Sequence, residues 1–179
     1  MFCWVCFLIP RFISGAGLLP WSLLEGLADG GRCIVLGVAY PSVVREVVER
    51  LHPAEVIVVE TNIETLEQET KALKGDVRVR PVYTRVIERV VDLPSNSFDL
   101  VIAANSLERA LQKRAFMTEV RRLLRDGGSA MIVTRLRTFY RRSGLRKEEF
   151  EKLLNIDGFR LAHKSVRSGK AVAVLTKST

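Results

Sequence analysis

Four apolar runs constrain this chain more than anything else in it: CIVLG at residues 33–37, EVIVVET at 55–61, FDLVIAAN at 98–105 and SAMIVT at 129–134. None alternates apolar with polar residues, as a strand with one wet face would. Continuous apolar runs of this length predict strands covered on both faces, which favours a parallel sheet flanked by helices. The residues after the first run supply such a helix. Val43, Val44, Val47, Val48 and Leu51 recur at helical spacing, and Arg45, Glu46, Glu49 and Arg50 take the opposite face. Strand followed by helix, repeated, predicts an α/β doubly wound domain.

The remaining segments fill in that plan. LPWSLLEGLADGGR (19–32) predicts a short helix with Leu23, Leu24 and Leu27 on one face, ended by Gly30-Gly31. IETLEQETKALKG predicts a polar helix ending at Gly75, and DVRVRPVYT a strand in which Pro81 demands a sheet edge or a bulge. A helix over residues 107–125 would carry Leu111, Ala115, Val120, Leu123 and Leu124 as its apolar stripe and stop at DGG. Arg121, Arg122 and Arg125 would then complement the negative end of its dipole. A basic connector and a helix at KEEFEKLLNIDG lead to two strands joined at Ser168-Gly169, as in a hairpin. The expected architecture is one domain over residues 20–179 with a mostly parallel sheet, helices on both faces and a C-terminal antiparallel hairpin. An apolar N-terminal arm, residues 1–19, precedes it.

That arm opens MFCWVCFLIP, then Pro10 and Arg11 interrupt it. It is far short of the roughly 20 apolar residues that cross a bilayer, and it lacks the basic start of a signal peptide. No membrane association is expected; a buried contact, through a homodimer or a protein partner, is, with a mistaken start codon as the alternative. Cys3 and Cys6 have CxxC spacing, but only Cys33, His52 and His163 could join them, so no metal site is expected. This cysteine usage points to a reducing, cytoplasmic setting. The net charge of +8 suits a polyanion, or equally a basic protein with its charges spread over solvated faces.

RCIVLGVAYPSVVREVVERL runs from strand through one glycine into helix, the layout of a nucleotide-binding loop. Gly37 stands at the start of the loop, but Ala39 and Pro41 stand where further glycines usually allow the backbone to close on a ligand. A stronger signal lies further on. NSFDLVIAANSLERALQKRAFMTEVRRLLRDGGSAMIVT, residues 96–134, resembles the second half of a class I S-adenosylmethionine-dependent methyltransferase. The family's SFD strand entry is followed by a helix ending E-x-x-R-x-L-x-x-G-G, matched by Glu119, Arg122, Leu124, Gly127 and Gly128. VDLPSNSFD is similar to the LPFPDNSFD segment of that family. The resemblance covers roughly residues 20–177 and implies a Rossmann-like fold and S-adenosylmethionine as cofactor.

The resemblance also implies a site. Gly37, Val38 and Ala39 would line the cofactor, although Val35 stands where an acid commonly supports the methionine amine. Glu60 closes the second strand, about 20 residues after Gly37, where a carboxylate can accept both ribose hydroxyls. Thr61 and Asn62 would border the adenosine, and Glu88 is the nearest acid for the adenine amine. Asn105, at the end of the fourth strand, would face the methyl group. There is no N-P-P-Y type motif for an amino-group acceptor and no cysteine near the fourth or fifth strand to attack a pyrimidine. No catalytic side chain is therefore assigned, and methyl transfer by proximity and alignment is expected.

Two alternatives stay open on the sequence: a non-catalytic protein of the same fold, favoured by Val35, Ala39 and Pro41, and a nicotinamide-binding Rossmann protein. Read as G-x-G-x-x-G, the loop offers Gly37, Ala39 and Ser42, a single match. RLRTFYRRSGLRK places Arg135, Arg137, Arg141 and Arg142 around Phe139 and Tyr140, a composition suited to RNA through phosphate contacts and base stacking. A small-molecule substrate remains the other possibility.

Overall fold

A computed structural model describes residues 21–27, 29–38, 43–71, 73–139 and 142–178. The N-terminal arm with Cys3 and Cys6, the loop residues Ala39 and Pro41, and Tyr140 and Arg141 of the connector lie outside the described residues. Seven strands form one sheet: β1 (Arg32–Leu36), β2 (Glu55–Glu60), β3 (Val79–Tyr83), β4 (Phe98–Ala104), β5 (Leu124–Arg135), β6 (Phe159–Arg167) and β7 (Lys170–Lys177). Their order is β3-β2-β1-β4-β5-β7-β6. β1 to β5 pair in parallel, and β7 pairs antiparallel with both β5 and β6. The helices are α1 (Val43–Leu51), α2 (Ile63–Lys71), α3 (Lys113–Leu123) and α4 (Lys147–Leu154).

The unbroken apolar runs are explained by the two cores they serve. Because successive strand residues point to opposite faces, Ile34 and Leu36 join Ile57, Val59, Val101 and Ala103 in a core with α3 and α4. Cys33 and Val35 join Val56, Val58, Leu100 and Ile102 in the other core, against α1 and Leu66 of α2. Burial pushes the Cys33 thiol well above its ordinary pKa, and the nearby Asp99 charge adds to the shift, so it behaves as an inert core group. Pro81 lies on β3, the edge strand, where its missing N–H costs no ladder bond. Ser168 (φ 50°) and Gly169 (φ 75°) turn the β6–β7 hairpin with the two positive φ values of a type I′ turn.

Three expectations need correction. Residues 19–32 hold no α-helix among those described. Trp21–Leu23 is a single 3₁₀ turn, and the chain then bends through Gly26 (φ 78°) and Gly30 (φ 64°). The helix expected over 107–125 begins only at Lys113, and residues 106–110 form a separate turn closed by the Arg109 and Ala110 amides on the Ser106 carbonyl. Leu111 is accordingly 88% exposed, and the buried stripe is Phe116, Met117, Val120 and Leu123. Arg125 lies past that helix, on β5, and pairs with Asp99 at 2.5 Å instead of serving a helix end.

The segment that carries the sequence resemblance is built mainly to hold the fold. Asp99 accepts the Arg32 amide at 2.7 Å and the Arg125 guanidinium, tying β1 and β5 to β4. Glu119, buried on α3, accepts the Val90 amide at 2.8 Å and pairs with Arg122 at 2.7 Å. Arg122 in turn donates to the carbonyls of Leu93 (2.8 Å) and Val90 (3.0 Å), pinning the strand-free segment before β4. A Cβ on Gly128 would lie 2.9 Å from the Arg125 carbonyl oxygen and 3.0 Å from that of Phe98, so no larger residue fits that crossing.

Candidate functional site

The strand order reverses between β1 and β4, and in open α/β sheets ligands bind at the carboxyl ends of the strands beside such a switch point. β1 ends at Gly37, which adopts φ +76° and donates its amide to the Val59 carbonyl at 2.8 Å. A side chain does not fit there. A Cβ on Gly37 would lie 2.5 Å from Arg109 Nη2, 2.5 Å from Ser106 Oγ and 3.2 Å from Ile87 Cδ1.

Glu60 ends β2 and is fully buried. One carboxylate oxygen accepts the Val38 amide at 2.8 Å and Arg109 Nη2 at 3.2 Å. The other accepts the Thr61 amide at 2.7 Å, the Thr61 hydroxyl at 3.1 Å and the Asn62 amide at 3.4 Å. Burial alone would raise its pKa, but the Val38 and Thr61 amides and the Arg109 guanidinium outweigh it and hold the carboxyl below its ordinary value. Glu60 is therefore an anion at neutral pH.

β4 delivers the third part of the site. Asn105 follows its last residue with φ 57°, a left-handed conformation that asparagine tolerates better than most residues. Its amide donates to the Val133 carbonyl at 2.7 Å, and its buried Oδ1 has no hydrogen-bond partner among the described residues. Ser106 Oγ donates to the Leu36 carbonyl, clamping the end of β4 to the end of β1.

Gly37, Val38, Glu60, Thr61 and Asn105 thus lie together at the carboxyl ends of β1, β2 and β4. Asn62 borders them through its backbone, while its Oδ1 accepts the Thr65 amide at 3.0 Å and caps α2. Glu88 lies elsewhere in its bonding. Its carboxylate accepts the Leu111 amide and, at 3.0 Å, the Gln112 amide ahead of α3, and the residue of that segment facing Gly37 is Ile87. Arg109 was missed altogether. An arginine in SLERAL carries no periodic signal, and only the turn at residues 106–110 brings it over Gly37.

A family model described as a methyltransferase domain matches residues 30–132, more than half of the chain. The chain belongs to this methyltransferase family. It is an S-adenosylmethionine-dependent methyltransferase by that membership, which leaves the nicotinamide reading without support. No match was found among curated proteins. Among solved structures it is similar to an S-adenosylmethionine-dependent methyltransferase of Aquifex aeolicus, with a TM-score of 0.71 at 16% identity over 90% of this chain and 91% of the other. A Mesorhizobium loti methyltransferase of the same dependence gives 0.71 at 13% identity, over 88% and 95%. A chain of the complex between the Haloferax volcanii Trm112 methyltransferase activator and a methyltransferase gives 0.75 at 11%, over 89% and 88%. At these identities the structures support the fold alone.

The cleft of this methyltransferase fits the family's cofactor in chemistry. Glu60 offers a charged acceptor suited to ribose hydroxyls, and Asn105 Oδ1 is a buried acceptor without a donor among the described residues. Among the described residues no group of histidine, cysteine and carboxylate side chains could hold a metal ion, and no helix is long and apolar enough to cross a membrane.

Proposed function

We propose that the carboxyl ends of β1, β2 and β4 hold S-adenosylmethionine, with Glu60 accepting the ribose hydroxyls. Gly37, Val38 and Ala39 would follow the methionine side, Thr61 and Asn62 the adenosine side, and Asn105 would face the methyl group. Glu88 contributes at one remove, by fixing the Leu111 and Gln112 backbone beside the cleft. The observation that carries this reading is Glu60, a fully buried carboxylate kept ionised at the end of β2. When bound, the cofactor supplies an electrophilic methyl group on a sulfonium. The protein's own residues position the two reactants and exclude water, and no side chain is assigned as a base.

Calorimetric titration of the full chain with S-adenosylmethionine tests the assignment. Wild-type protein should bind, and Glu60→Ala should bind about tenfold or more weakly, since a hydrogen bond to a charged group is lost. Absence of wild-type binding would refute the site, and unchanged affinity in Glu60→Ala would remove Glu60 from it.

For the substrate, the charge beside the cleft supports RNA. An open groove of about 1160 Å³ lies between the start of α3 and α4, lined by Lys113, Arg114, Arg137, Arg146 and Lys152 against two glutamates. Arg137 is held there by a 2.8 Å bond from Nε to the Gly144 carbonyl, and Arg135 and Arg142 belong to the same connector. RNA affinity should fall with salt at a log–log slope of about 0.7 per neutralised phosphate, and Arg137→Ala should lower that slope. No binding near 50 mM salt, on the order where screening is weak, would leave a small molecule or a protein as substrate. The likeness to the methyltransferase of the activator complex supports a protein partner in addition. A reducing compartment such as the cytoplasm suits Cys33, a free buried thiol.

A further inference from the structure

Arg109 does something in the cleft that a cofactor-binding residue would not. Its guanidinium takes an oxygen of Glu60 at 3.2 Å, and the same Nη2 lies 2.5 Å from where a Cβ on Gly37 would stand. Glu60 is the acceptor on which the proposed cofactor site depends, and Arg109 crowds Gly37 together with Ser106 Oγ and Ile87 Cδ1. The two partners differ in their freedom. The Glu60 side chain is fully buried, whereas that of Arg109 is 45% exposed and rises from the short turn at Ser106–Ala110. A buried carboxylate cannot leave and cannot stay unpaired cheaply, but a half-exposed guanidinium can exchange its partner for water.

We propose that Arg109 closes the cofactor cleft: its guanidinium occupies the Glu60 carboxylate beside Gly37, and S-adenosylmethionine binds by displacing it. This rests on the reading of the cleft given above. Ribose hydroxyls then replace the guanidinium as donors to the buried carboxylate, so Glu60 is never left without partners. Arg109 is a gating residue, not a catalytic one, and the affinity of the protein is lowered by the fraction of molecules in which the cleft is closed.

The test is calorimetric titration of wild type, Arg109→Ala and Arg109→Gln with S-adenosylmethionine and with S-adenosylhomocysteine, which lacks the sulfonium charge. Thermal melting establishes that each variant is folded, and the glutamine variant serves if alanine does not fold. Both variants should bind both ligands about fivefold more tightly than wild type, corresponding to a cleft open in about one wild-type molecule in five. A gain confined to the cationic S-adenosylmethionine would overturn the proposal, because it would reflect charge repulsion at a distance. Unchanged or weaker binding by the variants, with wild type binding normally, would also overturn it and leave the cofactor site standing. Failure of every form to bind either ligand would overturn both.

Discussion

Replacing Glu60 by glutamine removes a charge without removing volume, and the geometry fixes what that must do. The carboxylate receives donors on both oxygens: Val38 N–H and Arg109 on one, Thr61 N–H, Thr61 hydroxyl and Asn62 N–H on the other. A glutamine has a single acceptor. Whichever way its amide is turned, the NH₂ group meets a backbone N–H that stands 2.8 Å or less from the present oxygen, donor against donor. A buried amide left without an acceptor costs about 1–3 kcal/mol. The Arg109 pair adds at most about 1 kcal/mol because the guanidinium is half exposed, and relief of the buried charge offsets part of the loss.

Glu60→Gln should therefore be about 2 kcal/mol less stable than wild type at pH 7, lowering Tm by roughly 4–8 °C for a chain of this size. The sign of the pH dependence follows from the depressed pKa of Glu60. A carboxyl held below its ordinary value of 4.5 contributes stability that is complete above that value and disappears as pH falls through the lower folded value. The gap between wild type and variant should thus be constant from neutral pH down to about pH 5 and narrow as pH falls below 4.5. Urea denaturation of both proteins across that range measures it. A variant within about 0.5 kcal/mol of wild type at pH 7 would show that the carboxylate does not hold these donors, a magnitude ordinary for surface substitutions.

Gly37→Ala should cost about 2–4 kcal/mol in urea denaturation, from the positive φ and from crowding against Ser106 Oγ, which is tied to the Leu36 carbonyl; a near-neutral result would refute the close approach. Glu119→Ala strips the buried Val90 amide of its acceptor and releases Arg122, so a loss of about 2–3 kcal/mol is expected, with faster hydrogen exchange over residues 90–95; unchanged protection there would contradict the clamp. Val35→Asp puts a carboxylate between Val58 and Ile102, in a fully buried apolar layer, and should destabilise by about 3–5 kcal/mol in the same denaturation assay; a stable, folded variant would show that this layer opens to solvent.

The sheet was legible because burial on both faces writes itself into the sequence as unbroken apolar runs, and β1, β2, β4 and β5 fall where CIVLG, EVIVVET, FDLVIAAN and SAMIVT stand. Pro81 marked its edge for a similar reason, since a residue without an N–H is tolerated where no further strand pairs. The start of α3 was not legible. Leu107 and Ala110 are buried and keep the spacing of a helical stripe, but they belong to a turn packed on the core, and the Glu88 carboxylate takes the Leu111 and Gln112 amides between that turn and the helix. At the site, Gly37 and Glu60 could be placed because a strand-end glycine and a strand-end acid have few other uses. Arg109 could not, because its position depends on tertiary contacts between β4 and β1 that leave no local pattern.

The geometry also weighs against a scaffold that has given up ligand binding. A buried ion pair adds little to stability relative to apolar residues of similar volume, so Glu60 is a poor choice for a cleft that only has to be filled. Asn105 departs from ordinary strand geometry at a cost of order 1 kcal/mol, and among the described residues its buried Oδ1 lacks a donor. The unpaired Asn105 Oδ1 adds nothing to the sheet, which is held at its other end by Asp99 and by the Glu119–Arg122 clamp. Glu60 and Asn105 are both accounted for by a ligand that brings donors to the strand ends. Val35 leaves no acid within β1 for a ligand amine, so in the proposed site the negative charge offered to a cationic cofactor is that of Glu60, which Arg109 pairs with in this structure. Displacing one guanidinium thus frees an acceptor and a negative charge in a single movement.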